Sequence, residues 1–210
     1  LKLNEILKEA DLRLDEKAED GILAKMKYVF IVGDKKNKND RTYSSEILSK
    51  AISDFGKGLK EKNIAGQLNH PALSSHTELD KISHVITDVE WDEKGKRGIA
   101  TSSILSTSKG KDLKVLIDNN VALGASVRGK GELDSLGNVK PGYELASIDL
   151  VSAPSYGDDT AITKSNLIES ANSIFEKTLT ENQKLELRFE HARSAGYRGD
   201  FQQFKEEMEK

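Results

Sequence analysis

The chain has 210 residues, which suits one domain with an appendage or two small domains, and a chain of this size can bury roughly 70% of its unfolded surface. Its net charge of −3, with both signs interspersed, gives no argument for nucleic acid or an anionic membrane as partner. It has no cysteine, which excludes disulfides, thiolate catalysis and Cys-based zinc sites, and no apolar run approaches the roughly 20 residues of a membrane-spanning helix.

Residues 1–24 read as an amphipathic helix with Leu3, Ile6, Leu7, Ala10 and Leu14 in one stripe. The polar opening Leu1-Lys2-Leu3-Asn4-Glu5 is unlike a signal peptide, so a soluble intracellular protein is expected. Lys27 to Val32 is apolar and β-branched and predicts a strand. After a polar loop over 33–40, Ser44 is a candidate N-cap for a helix with the stripe Ile47, Leu48, Ala51, Ile52 and Phe55, ended by Gly56 and Gly58. Ile64 to Pro71 is short and extended, and a polar loop follows to Lys81. Ile82 to Trp91 and Arg97 to Leu105 form a hairpin about Asp92-Glu93-Lys94-Gly95-Lys96. A short helix carries Leu113, Leu116 and Ile117 and stops at Asn119-Asn120.

Val121 to Gly129 alternates with period two: Val121, Leu123, Ala125 and Val127 face one way, and Ala122, Gly124, Ser126 and Arg128 the other. Asp134 to Gly142 is rich in turn residues, Tyr143 to Ser152 is a further strand, and Ala153 to Asp159 is a loop. From about Ser165 the pattern turns helical, with Leu167, Ile168, Ala171, Ile174 and Phe175, then Leu185, Leu187, Phe189 and Ala192, then 201–210. The expected architecture is α+β: an antiparallel, barrel-like or strongly curved sheet core with inserted helices over 27–164, a helical extension over 1–26 and a helical appendage over 165–210.

Ser126 stands between Gly124 and Arg128, with space in front of it and a cation beside it. That arrangement suits a nucleophile, and it equally suits a small-residue strand packed under a helix. Of the four histidines, His191 lies in a charged helical stretch, His84 lies within a strand as a packing residue and His76 sits in a serine-rich loop. His70, in Leu68-Asn69-His70-Pro71, ends a strand at a point stiffened by Pro71 and is placed for general-base work, or simply for capping a turn. Three readings compete: a metal site from His70, His76 and His84 with Asp80, serine catalysis, or no chemistry. The spacings match none of the compact zinc patterns. For serine catalysis the acid should be buried on a strand, and Asp149, alone in Ala146-Ser147-Ile148-Asp149-Leu150-Val151, fits. Its plainer role is an ion pair with Arg128 or a lysine. Asp88, Glu132 and Asp134 are weaker candidates.

Four blocks in order carry a resemblance: Asn39-Asp40-Arg41-Thr42-Tyr43, Gly66-Gln67-Leu68-Asn69-His70-Pro71, Leu123-Gly124-Ala125-Ser126-Val127-Arg128-Gly129, and Ile148-Asp149-Leu150-Val151-Ser152-Ala153-Pro154-Ser155. Together they resemble the prohead proteases of tailed phages, capsid-maturation serine proteases related to herpesvirus assemblin. The resemblance covers about residues 27–160. It implies a herpesvirus-protease-like fold, a catalytic His70, Ser126 and Asp149, and an oxyanion or substrate-binding loop at Ser155, Tyr156 and Gly157, helped by Arg128. It implies no cofactor and no metal. It implies phage capsid and scaffold proteins as substrates, action in the host cytoplasm inside the assembling prohead, and no nucleic-acid or membrane partner. Homo-oligomerisation stays open, and the other reading is a non-catalytic assembly protein on the same fold.

The sequence departs from that pattern at Gln67, where Glu is frequent, at Ser44, where Pro is frequent, and at Val127, where Ser is frequent. Relatives often cleave after Glu with Leu or Ile two residues earlier, and process themselves. Such triplets cluster at both ends, in Leu3-Asn4-Glu5, Leu7-Lys8-Glu9, Leu14-Asp15-Glu16, Leu167-Ile168-Glu169, Ile174-Phe175-Glu176 and Leu179-Thr180-Glu181. Leu59-Lys60-Glu61 shows that one also falls inside the domain.

Overall fold

A computed structural model describes residues 21–71, 76–168, 181–194 and 196–208. Gly21–Ile168 form one compact unit. Within it run β1 (Ile22–Val32), α1 (Ser45–Leu59), β2 (Ile64–Gln67), β3 (Ile82–Asp92), β4 (Arg97–Leu105), α2 (Ser108–Asp118), β5 (Leu123–Lys130), β6 (Glu144–Val151), β7 (Ala161–Ile162) and β8 (Leu167–Ile168). Two antiparallel sheets result, of order β2-β3-β4-β1-β8 and β6-β5-β7. The expected barrel does not close. Between β2 and β6 the described residues make a single parallel bridge, Leu68 to Leu150, in place of a ladder.

β1 shows why its residues make a strand. Met26, Tyr28 and Phe30 alternate into the core, and a register shift between Val29 and Ile31 turns Ile31 inward as well. The strand begins at Ile22, so the helix expected over 1–24 does not extend through 22–24. Its first twenty positions lie outside the described residues. At the other end Leu167 and Ile168, expected in a helical stripe, pair instead with Met26 and Lys25 as edge strand β8. Two β-compatible apolar residues beside an open strand edge gain ladder bonds that a helix start would not give them. The unit is therefore wider than the expected 27–164.

α1 begins where Ser44 Oγ accepts the Ile47 amide at 3.3 Å, and it buries Leu48, Ala51, Ile52 and Phe55. Each of the larger side chains contributes about 1.5–3 kcal/mol by burial. Gly56 and Gly58 do not stop this helix, which runs through both to Leu59. At Gly56 an added Cβ would lie 3.4 Å from Val89 Cγ2, an ordinary packing distance, so the helix faces β3 there with room for a side-chain carbon.

Gly66 sets the seam between the sheets. A Cβ there would collide with His84 Nε2 and the Ile148 carbonyl. Its absence lets β2 lie against both. Ser147 Oγ donates to Ala65 O at 2.9 Å, and the Asn69 amide donates to Leu150 O at 2.8 Å. The chain leaving β2 is thereby laid along β6, which brings the His70 block to Asp149.

A second unit contains α3 (Glu181–Ser194) and α4 (Phe201–Met208), around a core of Phe189, Ala192, Tyr197 and Phe204. Gly196, at φ 107°, lies in the break between the two helices.

Candidate active site

β5 and β6 are paired in a register that sets Ser126 directly opposite Asp149. Both side chains leave the same face of the sheet, and the segment after β2 delivers His70 between them. His70 Nε2 lies 2.9 Å from Ser126 Oγ, and His70 Nδ1 lies 2.8 Å from Asp149 Oδ2. A carboxylate only accepts, so Nδ1 carries the hydrogen and Nε2 turns its lone pair toward the serine hydroxyl. Two backbone features fix the ring's origin: Asn69 is left-handed at φ 68°, and Pro71 follows.

Exposure is graded along this chain of groups. Asp149 is 0% exposed, Ser126 is half-buried, and the His70 side chain is 38% exposed. Asp149 accepts from Arg128 Nε at 2.7 Å and Nη2 at 3.2 Å, and from the Gln67 amide at 3.2 Å. Burial by itself would raise its pKa. The bonds from His70, Arg128 and Gln67 and the guanidinium charge outweigh burial and hold the carboxyl below its ordinary value. The acid is thus ionised and oriented.

Arg128 could be read as support for the oxyanion or as the ion-pair partner of Asp149. It grips Asp149 and donates from Nη2 to Thr77 Oγ1 at 2.9 Å. The cause is geometric: Arg128 pairs with Ser147, one step diagonally from Asp149 on the same face, and a fully buried carboxylate draws the nearest cation.

Of the expected oxyanion loop, Pro154 packs over Gly124, two residues from Ser126 on the same face of β5. The Ser155 carbonyl accepts from the Lys38 amide at 2.8 Å. The Tyr156 ring belongs to the core at 7% exposure, and burial pushes its phenol far above the usual range. Gly157, at φ 58°, donates its amide to Pro154 O at 3.0 Å, so that N–H is already spent.

Two further histidines are described within the same unit. His84 is 0% exposed, with Nδ1 at 2.9 Å from Ser83 Oγ and Nε2 at 3.1 Å from the Ile148 carbonyl. Burial lowers its pKa to about 4. His76 is exposed, and among the described residues no group of three or more His, Cys, Asp or Glu is arranged to hold a metal. Two residues of the site were not singled out as such from the sequence: Gln67, noted only as a departure from a motif, and Thr77. The signal for Gln67 was a polar side chain inside the apolar run Ile64-Ala65-Gly66-Gln67-Leu68.

The model of a family described as prohead core protein serine protease matches residues 6–172. The prohead core protein protease of Enterobacteria phage T4 is 28% identical over 150 residues, which are 68% of this chain and 69% of that protein. A solved structure of the bacteriophage T4 capsid assembly protease, gp21, superposes with a TM-score of 0.55 at 24% identity, over 60% of this chain and 80% of that one. The latter likeness establishes the fold.

Proposed function

This chain belongs to the prohead core protein serine protease family, and we propose that it is a serine endopeptidase with Ser126 as nucleophile, His70 as general base and Asp149 as the residue orienting the base. Family membership makes it a capsid maturation protease. The observation that carries the finer reading is the unbroken contact chain Ser126 Oγ–His70 Nε2–Nδ1–Asp149 Oδ2, at 2.9 and 2.8 Å.

The chemistry is acyl transfer. Ser126 Oγ attacks the scissile carbonyl while its proton passes to His70 Nε2. The imidazolium that forms is stabilised by Asp149, already ionised and held by Arg128. His70 then returns the proton to the leaving amine, and water hydrolyses the acyl-enzyme by the same route. With Arg128 engaged on Asp149 and the Gly157 amide donated to Pro154, the oxyanion falls to the backbone N–H groups of Ser155 and Tyr156 beside Pro154. The substrates on this reading are the capsid and scaffold proteins of a phage prohead, and segments flanking the protease unit of this same chain.

The test is Ser126→Ala against the unaltered chain, with prohead capsid and scaffold proteins as substrate and the mass of the protease itself read in parallel. Cleavage should fall by about 10³-fold or more with the melting temperature held. The termini of the unaltered chain should shorten while those of Ser126→Ala stay intact. Cleavage by Ser126→Ala at the original rate overturns the nucleophile assignment, whereas no cleavage by the unaltered chain leaves an assembly role on a protease fold. Identical termini in both proteins overturn self-processing alone.

A further inference from the structure

Gln67 ends β2 and is 0% exposed. A buried side-chain amide is costly unless its donor and acceptor are met. Here Nε2 donates to the Asn69 carbonyl at 3.0 Å, and Oε1 accepts the Glu78 amide at 2.9 Å. Those partners are the two described ends of the segment carrying His70. The Gln67 main-chain amide donates to Asp149 Oδ1 at 3.2 Å. One residue therefore holds the acid with its backbone and both ends of the base's loop with its side chain. Thr77, beside Glu78, adds a second tie through Arg128 to Asp149. Asn69 is non-glycine and left-handed at φ 68°, a conformation that costs about 1 kcal/mol or more and persists only where the surroundings impose it.

We propose that Gln67 is a positioning residue for His70: its side-chain amide closes the loop and sets the imidazole between Ser126 and Asp149. The proposal rests on the roles assigned above to those three residues. The site needs a donor toward a carbonyl and an acceptor toward an amide. Glutamine meets that need at every pH. Glutamate meets it only while protonated, because an ionised carboxylate would turn a lone pair on the Asn69 carbonyl in a dry site. The charged and titratable groups around the position are Asp149, Arg128 and His70 in the site, His84 beyond Gly66, and Glu78 and Lys81 at the loop's return. The clamp itself carries no titratable group. Glutamine, where the resembled motif often has glutamate, makes this clamp on the His70 segment independent of pH.

The test uses the full chain and a fluorophosphonate probe, with labelling followed by intact mass between about pH 6 and pH 9. In that reaction Ser126 Oγ bonds to phosphorus, the P–F bond breaks, fluoride leaves and the hydroxyl proton passes to His70. Gln67→Leu should label at least about tenfold more slowly at every pH while circular dichroism shows it folded. Gln67→Glu should approach the unaltered rate at the acid end and lose it as the introduced carboxyl ionises, an alkaline limb the unaltered chain lacks. If both variants keep the unaltered rate and pH profile, or lose rate only in proportion to the fraction unfolded, Gln67 is not a positioning residue. Ser126→Ala separates the two levels. Persistent labelling there sinks the nucleophile assignment, whereas its loss together with unaltered Gln67 variants sinks this inference alone.

Discussion

His70 and His84 each meet a serine hydroxyl at 2.9 Å, yet the two rings sit in opposite surroundings. His84 is sealed between β3 and β6, and its far nitrogen meets the carbonyl of Ile148. His70 stands at the surface end of the seam, and its far nitrogen meets the carboxylate of Asp149. The sealed pocket disfavours an imidazolium at His84 and outweighs the more distant Asp149 charge and the Ile148 carbonyl, which both favour one, so burial leaves His84 neutral down to about pH 4. A carboxylate can stabilise the charge that forms when the ring accepts a proton. A serine–histidine contact is thus no sign of catalysis by itself. The partner of the second nitrogen and access for a substrate separate the two pairs.

Removing the difference at its source should have the largest effect. Asp149→Asn keeps the shape of the site but replaces the carboxylate with an amide. The charge that stabilises an imidazolium is lost, and an amide NH₂ facing Nδ1 would favour the wrong tautomer. Fluorophosphonate labelling of Ser126 should slow by about 10² to 10⁴-fold. The same change leaves the Arg128 guanidinium, only 13% exposed, without its counter-ion, and urea unfolding should show a loss of about 3 kcal/mol. Labelling at the unaltered rate would mean that His70 works without an acid, and the contrast with His84 would have to rest on access alone.

Much of this contrast was legible in the sequence. Ser126, His70 and Asp149 stood out as polar residues where strand periodicity or a proline restricts the backbone, each with a plainer structural role open to it, and it was the resemblance to the prohead proteases that joined them as one set. His84 could be set aside as a strand-interior packing residue for the same reason. The pairing that makes them different was not legible, because it depends on register: Ser126 faces Asp149 only through the β5–β6 alignment, and His70 arrives only because Gly66 lets β2 lie against Ile148. Arg128 could be read as serving the oxyanion or an acid, and only the cross-strand diagonal decides for the acid. At the ends of the unit, Ile22 to Ala24 and Leu167 to Ile168 looked helical because apolar residues near a charged amphipathic stretch satisfy both periods. Tertiary pairing with β4 and with β1 itself made them strands. Whether the barrel-like or curved sheet closes was not legible for a related reason, since closure comes from ladder bonds that periodicity does not encode.

The buried histidine supplies a milder, pH-dependent test. Its pKa is lowered in the fold, from 6.5 to about 4, so the folded state resists a proton that the unfolded chain accepts. That contribution is complete above about pH 6.5 and is lost progressively as the pH falls toward 4, amounting to roughly 3 kcal/mol. Asp149 acts in a lower window. Its folded pKa is also depressed, so its contribution holds above the ordinary carboxylate value of 3.8 and fades below it. Urea midpoints measured down from pH 7 should fall before the carboxylates titrate, and His84→Gln should flatten that part of the curve. An unchanged slope in His84→Gln would show that His84 is not what the acid attacks.

The smallest effect should come from Ser83, the hydroxyl that makes His84 look most like His70. Ser83→Ala removes the partner of His84 Nδ1 in a fully buried site, which should cost about 1 kcal/mol in unfolding free energy. It leaves Ser126, His70 and Asp149 untouched, so labelling by a fluorophosphonate should proceed at the unaltered rate over the whole pH range. The cost arises because Nδ1 is an acceptor left without a donor: with Nε2–H committed to the Ile148 carbonyl, the ring cannot change tautomer to compensate. A slowed labelling rate in Ser83→Ala would mean that the seam transmits the state of the buried pair to the exposed one through Ile148 and its neighbour Asp149. The two histidines would then be one coupled system instead of two independent uses of the same contact.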